Sequence, residues 1–366
     1  MSWNTPKFWY APNYTVSALS LLPVGWIYGA VTGLRMRLSS TSRALAPVVC
    51  IGNPTVGGAG KTPVALAMAR LLARHGRHPG FLSRGYGGNA NRPTFVRRET
   101  SAEICGDEPV LLAREFPTVV SVDRPWGADV LLEGDPEAKG QKGDPVDVIV
   151  MDDGFHNASL EKALSFLVID KSAGLGNGFV FPAGPLRMSL KGNLQRADAV
   201  IIAGNKKAEL SPDVEAVMAR CERRGLPVFR AHVEPDGETL KTLRGKPLIA
   251  FAGIARPEKF FATLRAANLD VVESHSFPDH HAFSADDAEK LVAAAIAIEA
   301  TLITTEKDAV RFARTKVGPL ARLRQQTRVL PVTARFPRAE QTVLREMLKA
   351  LPPRFVVPAT PTYDDD

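Results

Sequence analysis

Residues 48–62 read Val48-Val-Cys-Ile-Gly-Asn-Pro-Thr-Val-Gly-Gly-Ala-Gly-Lys-Thr62, an apolar run that leads into a glycine-rich turn. A helical pattern follows from Thr62 to His75, so the turn joins a predicted buried strand to a helix. Glycines let backbone N–H groups converge on phosphate oxygens, and the start of a helix favours negative charge. We therefore predict a phosphate loop, with the Lys61 ammonium on the β- and γ-phosphates and the Thr62 hydroxyl on Mg²⁺.

The loop departs from the usual GxxxxGK[ST] pattern, because Thr55 stands where that pattern has its first glycine. It reads Gly-Gly-x-Gly-Lys-Thr instead, a variant found in some phosphate-loop proteins. A glycine-rich turn with an incidental lysine is the alternative, and the strand–loop–helix context argues against it. The residues expected to form the nucleotide site are Asn53, Thr55, Val56, Gly57, Gly58, Ala59, Gly60, Lys61 and Thr62.

A second polar signal lies at the end of another predicted strand. Residues 146–151 are mostly apolar, and Asp152 and Asp153 follow them directly. A strand that ends in Asp-Asp-Gly is by itself more typical of a turn. Beside a phosphate loop, however, such an aspartate holds Mg²⁺, directly or through water. We therefore predict a metal role for Asp152 and Asp153.

Outward from the loop, short apolar runs alternate with helical patterns through most of the chain. This alternation predicts an α/β fold of the phosphate-loop NTPase type, with a mostly parallel sheet covered by helices on both faces. A second, smaller α/β series begins near Lys246, after a stretch interrupted by prolines and a glycine. The predicted organisation is an N-terminal segment (1–37), a phosphate-loop domain (38–235), a smaller α/β domain (236–352) and a disordered tail (353–366).

The composition limits the classes of protein that this chain can belong to. Its 366 residues are 45% hydrophobic and 23% charged, which is ordinary for a globular protein, and the mean hydropathy of −0.06 excludes a polytopic membrane protein. The net charge of +7 suits a polyanionic partner, but no dense Lys/Arg stripe with interleaved aromatics points to nucleic acid. The cysteines Cys50, Cys105 and Cys221 form no CxxC motif, which argues against a disulfide framework or a structural zinc site and fits a reducing cytosol.

The N-terminal segment is apolar and aromatic. No charged residue occurs from Phe8 to Leu34, and Arg35 and Arg37 follow at once. Four interpretations are open: a secretory signal, a spanning helix, a helix that lies in the membrane interface, and a buried core helix. Aromatic rings favour the headgroup region and the arginines suit anionic lipid, so we expect interfacial membrane contact. The aromatic residues in question are Trp3, Trp9, Tyr10, Tyr14, Trp26 and Tyr28.

Eight motifs carry a resemblance to a known family. They are the phosphate loop through Pro63, Ser83-Arg-Gly-Tyr-Gly-Gly88, Gly106-Asp-Glu-Pro109, Asp152-Asp-Gly-Phe155, Pro182-Ala-Gly-Pro-Leu-Arg187, Phe251-Ala-Gly-Ile-Ala255, Phe277-Pro-Asp-His280 and Thr304-Thr-Glu-Lys-Asp308. In this order they closely resemble the tetraacyldisaccharide 4′-kinases, the lipid A 4′-kinases of Gram-negative bacteria. The resemblance implies transfer of the γ-phosphoryl of ATP, with Mg²⁺, to the 4′-hydroxyl of tetraacyldisaccharide 1-phosphate. It also implies a location at the cytoplasmic face of the inner membrane, with that anionic surface as a partner.

The resemblance further assigns a catalytic pair. The family's pair corresponds to Asp107 and His280, one in each predicted domain, so the active site is expected in the cleft between the domains. Imidazole has a suitable pKa to accept the hydroxyl proton, and a carboxylate can orient it. From the sequence alone, Asp107 reads more readily as a helix N-cap, and His280 with His281 as a solvated loop.

The remaining site residues each have an alternative. Arg84 and Tyr86 are expected to contact the sugar or phosphate of the acceptor, with ordinary turn chemistry as the alternative. Arg124 and Arg187 are assigned to the catalytic machinery, where they would neutralise phosphate charge. Glu108 is a further metal candidate.

Two positions depart from the family's pattern. His156 stands where the family usually has Gln, and Met188 where it often has Glu. If that Glu assists the metal or the acceptor elsewhere in the family, Met188 cannot do so, and Glu108, Asp152 or water must then serve. Lys307, in the last motif, is left unassigned.

A different class of protein also carries this variant of the loop. Switch-type ATPases and GTPases that regulate membranes, metal delivery or partitioning contain Gly-Gly-x-Gly-Lys-Thr. A basic chain with an apolar N-terminus suits such a membrane-associated switch. That alternative leaves Asp107, His280 and the second α/β series unexplained.

Overall fold

The structure is a computed structural model that describes residues 5–11, 13–58, 60–137 and 144–355. Within these ranges the strands form two sheets. The strands are β1 (Val48–Gly52), β2 (Pro79–Ser83), β3 (Thr94–Phe95), β4 (Thr118–Val120), β5 (Val148–Asp152), β6 (Leu164–Asp170), β7 (Ala199–Gly204), β8 (Val228–Pro235), β9 (Pro247–Ala252), β10 (Asp270–Ser276), β11 (Thr301–Thr305), β12 (Thr327–Leu330) and β13 (Val332–Arg335).

A short 3-10 helix (Lys7–Tyr10) precedes the α-helices. The α-helices are α1 (Val16–Ser20), α2 (Leu22–Leu38), α3 (Lys61–Arg74), α4 (Ala102–Cys105), α5 (Asp107–Leu112), α6 (Arg124–Glu133), α7 (Leu190–Leu194), α8 (Pro212–Glu222), α9 (Gly237–Leu243), α10 (Pro257–Ala266), α11 (Ala285–Ala297), α12 (Glu306–Phe312), α13 (Gly318–Gln326) and α14 (Arg338–Lys349).

The larger sheet contains nine strands in the described chain, in the order β13-β8-β7-β6-β1-β5-β2-β4-β3. Only its two edge pairs, β13 with β8 and β3 with β4, are antiparallel among these residues. Side chains alternate between two cores, so that in β1 Val48 and Cys50 face α6, α7 and α8, whereas Val49 and Ile51 face α3, α5 and α14. A parallel sheet covered on both faces confirms the predicted α/β fold class.

The smaller sheet contains four parallel strands within the described ranges, in the order β10-β9-β11-β12. Helices α11, α12 and α13 pack on one face around Phe251, and α9 and α10 pack on the other around Phe261. Strands β9 and β11 are neighbours, and two of the sequence motifs follow their carboxyl ends. Parallel neighbours end at the same edge of a sheet, so these two motifs lie side by side.

The chain returns to the larger sheet at Pro331. The apolar run 329–332 predicts one strand, but β12 ends at Leu330 in the smaller sheet and β13 begins at Val332 in the larger one. Proline has no N–H for a strand ladder, so the pairing breaks there. Helix α14 then packs on the larger core through Leu344 and Leu348. Residues 332–349 thus belong with the larger sheet, although the predicted boundaries placed them in the smaller domain.

The larger unit is the nine-stranded sheet with the helices that pack on it, and the smaller unit is the four-stranded sheet with its helices. Helices α1 and α2 lie on the outside of the larger unit. The side chains of Trp26, Ile27 and Val31 on α2 are exposed. Gly25 rests against the Val180 carbonyl, whose oxygen would lie only 2.8 Å from a Cβ at that glycine. The interpretation of this segment as a buried core helix is therefore wrong for α2, because the large apolar side chains of α2 point outward.

None of the helices that the structure describes has both the length and the apolarity needed to cross a membrane.

Candidate active site

The phosphate loop leaves β1 at the centre of the larger sheet and is shaped by Asn53. The buried Asn53 amide donates to the backbone carbonyls of Thr55, at 2.8 Å, and Gly57, at 3.1 Å. Its side-chain oxygen accepts a hydrogen bond from the Lys61 ammonium at 2.9 Å. One side chain therefore joins both arms of the loop, and the loop's own residues fix its shape.

The glycines leave an open cradle at the start of α3. Gly57 and Gly60 have φ values of +105° and +71°, the left-handed region that favours glycine. A Cβ built at Gly57, Gly58 or Gly60 would meet no atom of the described chain within 4 Å. Thr62 is buried in the first turn of α3. These features fit the phosphates of a nucleotide, and the predicted contact at Ala59 lies outside the described residues.

A second loop, residues 182–187, lies against the phosphate loop. The Val56 N–H donates to the Pro185 carbonyl at 2.7 Å, and the Arg187 N–H donates to the Pro54 carbonyl at 2.8 Å. The Arg187 guanidinium reaches the two carboxylate oxygens of Asp153 at 3.3 and 3.2 Å. Arg187 therefore lies beside the phosphate loop and is paired with Asp153.

Asp153 is the anion that links two cations of the site. Lys61 Nζ lies 2.9 Å from Asp153 Oδ1, and Lys61 is almost fully buried. Burial alone would raise the pKa of Asp153, but Lys61 and Arg187 hold that pKa far below its usual range. Asp153 is therefore ionised, and it orients the ammonium and the guanidinium toward the loop.

Asp152 is fully buried at the end of β5. Neither of its carboxylate oxygens has a hydrogen-bond partner among the described residues. Burial, with the nearby Glu108 carboxylate, raises the pKa of Asp152 to about 7. A buried carboxylate without a donor is costly, and a hard cation beside it would remove that cost. The chemistry of Asp152 therefore fits a Mg²⁺ ligand near the phosphate-loop lysine.

Clusters of three or more His, Cys, Asp or Glu side chains that could hold a metal ion by themselves do not occur in the described part of the chain.

Glu108, the remaining predicted metal ligand, has a different partner. Its carboxylate forms an ion pair with Lys307 of α12, the residue that the sequence left unassigned. Burial disfavours both charges, yet the pairing lowers the pKa of Glu108 and raises that of Lys307. The negative charge of Glu108 is thus balanced by Lys307 of the smaller unit. Glu108 also remains within electrostatic range of Lys61 and Asp152.

Asp107 and His280 meet where the two units join. Asp107 begins α5, His280 follows β10, and His280 Nδ1 lies 2.9 Å from Asp107 Oδ2. Gly106 occupies the N-cap position, so the buried Asp107 carboxylate serves this contact rather than a helix cap. His280 has a left-handed φ of 57°, and its N–H donates to the Gly253 carbonyl at 3.1 Å. The sequence-predicted pair is therefore brought together.

The electrostatics of the pair favour a charged aspartate. The hydrogen bond to Asp107 raises the pKa of His280, although burial opposes it. Burial disfavours ionised Asp107 as well, but the hydrogen bonds from His280 and Arg311 lower its pKa overall. Asp279 Oδ1 lies 3.9 Å from His280 Nε2, too far for a hydrogen bond.

Sequence reasoning missed Arg311, a residue of α12 whose side chain is only 7% exposed. Its Nε and Nη2 donate to Asp107 Oδ2 at 3.0 and 2.6 Å. Its Nη1 donates to the Gly253 carbonyl at 2.8 Å and to Asp308 Oδ1 at 2.7 Å. The available signal was helical spacing, because Arg311 follows Lys307 by four residues and lies on the same face of α12.

The glycine-rich turn after β2 borders the pair. The Tyr86 ring stands edge-on to the His280 imidazole with the centroids 5.3 Å apart, and it is 67% exposed. A Cβ at Gly87 would lie 3.7 Å from His280 Nδ1. Arg84 is exposed on the same turn. Of the two predicted acceptor contacts, Tyr86 touches the catalytic pair directly.

Arg124 is placed differently from the expectation. It is buried, and its Nη1 donates to the backbone carbonyls of Ser83, at 3.2 Å, and Ser121, next to the ends of β2 and β4. Burial, together with the charge of Arg84, lowers the pKa of Arg124 to about 10. These contacts tie two strand ends together, so the described partners of Arg124 are backbone groups.

The two positions that depart from the family's pattern have described contacts other than the predicted metal ligands. His156 Nε2 lies 2.9 Å from Asn193 Oδ1, and burial with the charge of Arg187 lowers the pKa of His156 to about 4. Met188 is buried and lines the groove beneath α2. His156 is therefore a neutral side chain near pH 7, and Met188 shares the lining of a groove with residues of α2.

The smaller unit also contacts the phosphate loop directly. The Arg256 guanidinium donates to the Gly58 carbonyl at 2.8 Å and lies over the Tyr10 ring, 5.6 Å from its centroid. Lys259 Nζ lies 2.7 Å from the buried Asp170 carboxylate at the end of β6. The N-terminal segment, the phosphate loop and the smaller unit therefore meet at one point.

Comparisons with known sequences identify a family. The sequence profile for LpxK, described as tetraacyldisaccharide-1-P 4′-kinase, matches residues 17–351. The chain is 44% identical over 359 residues to a tetraacyldisaccharide 4′-kinase from Methylobacterium nodulans. This match covers 98% of this chain and 99% of that protein. It is 45% identical over 344 residues to a protein of the same name from Bradyrhizobium sp., with 94% of each chain covered.

A solved structure has the same fold. It is the crystal structure of the "apo" form of LpxK from Aquifex aeolicus in complex with ATP, with a TM-score of 0.67 and 25% sequence identity. The match covers 91% of this chain and 98% of that chain. The switch-type alternative is not favoured by any of these relatives. The chain belongs to the tetraacyldisaccharide-1-P 4′-kinase family.

Proposed function

We propose that this protein transfers the γ-phosphoryl of ATP to the 4′-hydroxyl of tetraacyldisaccharide 1-phosphate in lipid A biosynthesis. The observation that carries the proposal is the convergence of a hydrogen-bonded Asp107–His280 pair and a phosphate loop at the junction of the two units. Glu108, the residue after Asp107, is within electrostatic range of Lys61, which links the pair to the loop. Family membership supports the same reaction.

His280 is the residue that we assign to accept the hydroxyl proton. With its Nδ1–H donated to Asp107, the neutral imidazole carries its lone pair on Nε2. Nε2 takes the proton as the acceptor oxygen bonds to the γ-phosphorus, while the bond from that phosphorus to the bridging oxygen breaks and ADP leaves. The Asp107 carboxylate stabilises the resulting imidazolium. Asp107 has a lowered pKa and further donors on the same oxygen, so its role is to orient the imidazole.

Lys61 and Arg187 are the cations that we assign to the transferred phosphoryl group. Phosphoryl transfer spreads negative charge over the equatorial oxygens, so positioned cations contribute more to the rate than the base does. Asp153 holds both cations beside the loop. Thr62 and Asp152 would hold Mg²⁺, which neutralises phosphate charge when bound.

The acceptor is proposed to enter past the turn after β2. Tyr86 stands beside His280 and presents an exposed ring, and Arg84 adds an exposed guanidinium on the same turn. An aromatic ring suits the apolar face of a sugar, and a guanidinium suits a phosphate. These two residues therefore form the proposed acceptor contacts.

Attachment to the cytoplasmic face of the inner membrane is part of the proposal. The exposed Trp26, Ile27 and Val31 side chains of α2 form an apolar surface, and Arg35 and Arg37 lie in its last turn. A helix of this kind inserts its apolar face into the interface while its cations meet anionic lipid. The acceptor is itself a lipid, so attachment brings the active site to its substrate.

The proposal is tested with the purified full-length chain, Mg-ATP and tetraacyldisaccharide 1-phosphate. The expected product carries a new phosphate at the 4′ position, identified by mass spectrometry and phosphorus NMR, with one ADP formed per product. Nucleotide hydrolysis without a phosphorylated acceptor would contradict the proposal and would favour a switch-type ATPase or GTPase instead. Asp153→Asn is expected to lose transfer, since it frees both cations that the carboxylate orients.

A further inference from the structure

We propose that Arg311 is a positioning residue for phosphoryl transfer, which joins the Asp107 carboxylate to Gly253, the residue whose carbonyl also holds the His280 backbone. The catalytic pair then forms only while the smaller unit is docked on the larger one. This inference rests on the proposed function and adds to it a residue outside the phosphate loop and the catalytic pair.

Three donors converge on one oxygen of Asp107. Asp107 Oδ2 accepts from His280 Nδ1 at 2.9 Å and from Arg311 Nε and Nη2 at 3.0 and 2.6 Å. Both partners of the Asp107–Arg311 ion pair are only 7% exposed, so solvent screens it little. Arg311 therefore fixes the position of the oxygen that orients the imidazole.

Arg311 and the His280 backbone are hydrogen-bonded to the same residue, Gly253, which follows β9. The Gly253 carbonyl accepts both Arg311 Nη1, at 2.8 Å, and the backbone N–H of His280, at 3.1 Å. Asp308 Oδ1 accepts from Arg311 Nη1 at 2.7 Å and from the Gly253 N–H at 2.9 Å. One guanidinium thus sets the spacing between the Asp107 carboxylate and the backbone that carries the imidazole.

The Arg311 guanidinium has the geometry that these contacts require. The group is planar and holds its donors in a fixed geometry. Nε and Nη2 donate to the Asp107 carboxylate, while Nη1 donates to the Gly253 carbonyl in the smaller unit. A lysine ammonium at position 311 has the charge but lacks this geometry. Charge alone therefore restores only part of the contact.

The chain provides a matched control on the same pair of helices. Arg114, which follows α5, forms an ion pair with Glu306 of α12 at 3.3 Å, and its side chain is 49% exposed. This pair also joins the two units, but it lies away from the Asp107 carboxylate. Exposed pairs of this kind contribute little to stability.

The experiment compares Arg311→Met, Arg311→Lys and Arg114→Met in the acceptor-phosphorylation assay. Arg311→Met is expected to lower kcat about 10²-fold, as displaced catalytic groups do, with the ATP Kd changed by less than about twofold. Arg311→Lys is expected to recover about tenfold over Arg311→Met, because it keeps the charge. Arg114→Met is expected to stay within about twofold of the wild type.

A double-mutant cycle separates positioning from a general loss of structure. If Arg311 acts through Asp107, then adding Arg311→Met to Asp107→Asn lowers kcat by less than about threefold further. A residue that supports only the fold would lower kcat by its full factor in either background. Thermal melting identifies a variant that does not fold, and Arg311→Lys with its own Asp107→Asn cycle then carries the same test.

The failures of the two proposals are distinguishable. A kcat of Arg311→Met within about threefold of the wild type, or full multiplication of the two effects, overturns the role of Arg311. A wild-type chain that makes no 4′-phosphorylated product overturns the proposed function instead.

Discussion

The nucleotide side and the acceptor side of the active site are built in different ways. Asn53, Lys61 and Asp153 all belong to the larger unit, and Asn53 and Lys61 are only eight positions apart. Asp107, in contrast, meets partners 173 and 204 positions away, His280 and Arg311, both from the smaller unit. The side chains that hold Lys61 therefore come from one unit, whereas the catalytic pair exists only where two units meet. ATP binding and phosphoryl transfer should consequently respond to different substitutions.

The largest effect is expected on the nucleotide side. Lys61→Met removes a buried cation from the phosphate loop and leaves Asp153 with Arg187 alone. We expect kcat/KM to fall at least about 10³-fold and ATP affinity to fall with it. Acceptor phosphorylation and calorimetric ATP binding measure the two. Lys290→Met, at an exposed surface ion pair, is the matched control, and wild-type ATP affinity in Lys61→Met would contradict the assignment.

Substitution on the acceptor side should separate the two functions. His280→Ala removes the proposed proton acceptor, so turnover is expected to fall about 10²–10⁴-fold while the ATP Kd changes by less than about twofold. His281→Ala is the control, because His281 bonds to Asp287 instead of Asp107. Turnover near that of the wild type would refute the base assignment, and a parallel loss of ATP binding would break the comparison.

Part of this site could be predicted from the sequence alone. The phosphate loop is predictable because its contacts are local, with Asn53, Lys61 and Thr62 within ten residues. Asp152 and Asp153 are predictable because parallel strands end at one edge of the sheet. The Asp107–His280 pair came from the family resemblance, since the residue pattern itself favoured a helix cap for Asp107.

Long-range contacts account for what the sequence did not predict. Arg311 and Lys307 look like ordinary helix-surface cations, and their partners Asp107 and Glu108 lie 204 and 199 positions away. No spacing rule connects such pairs. The return of the chain to the larger sheet after Pro331 was not predicted either. The apolar pattern of a strand does not indicate which of two sheets the strand pairs with.

The pH dependence of turnover sharpens the acceptor side. The pKa of His280 is raised above its ordinary value of 6.5, and only the neutral imidazole accepts a proton, so kcat/KM should fall as the pH drops through that raised pKa. Asp107→Asn removes the partner that raises it, so the acid limb should move to lower pH. Asp287→Asn, beside His281, should leave the limb in place. An acid limb that stays fixed or moves upward in Asp107→Asn would contradict the pairing.

The smallest effect on the chemistry is expected from the N-terminal surface. Glutamates in place of Trp26 and Ile27 should lower binding to anionic vesicles about tenfold, because charges replace exposed apolar side chains. Transfer to detergent-solubilised acceptor should change by less than about threefold, since neither residue touches the catalytic pair. Val317→Glu, at an exposed valine of the smaller unit, is the control for vesicle co-sedimentation. Unchanged vesicle binding of the double variant would refute the proposed attachment.

The most direct test of the two-sided construction is Asp107→Asn, measured for ATP affinity and for acceptor phosphorylation in the same preparation. Asp107 contacts both His280 and Arg311 of the smaller unit but makes no described contact with the phosphate loop. The account predicts a kcat reduced about 10²-fold or more with an ATP Kd within about twofold of the wild type. An unchanged kcat, or a loss of ATP binding that matches the loss of turnover, would contradict it.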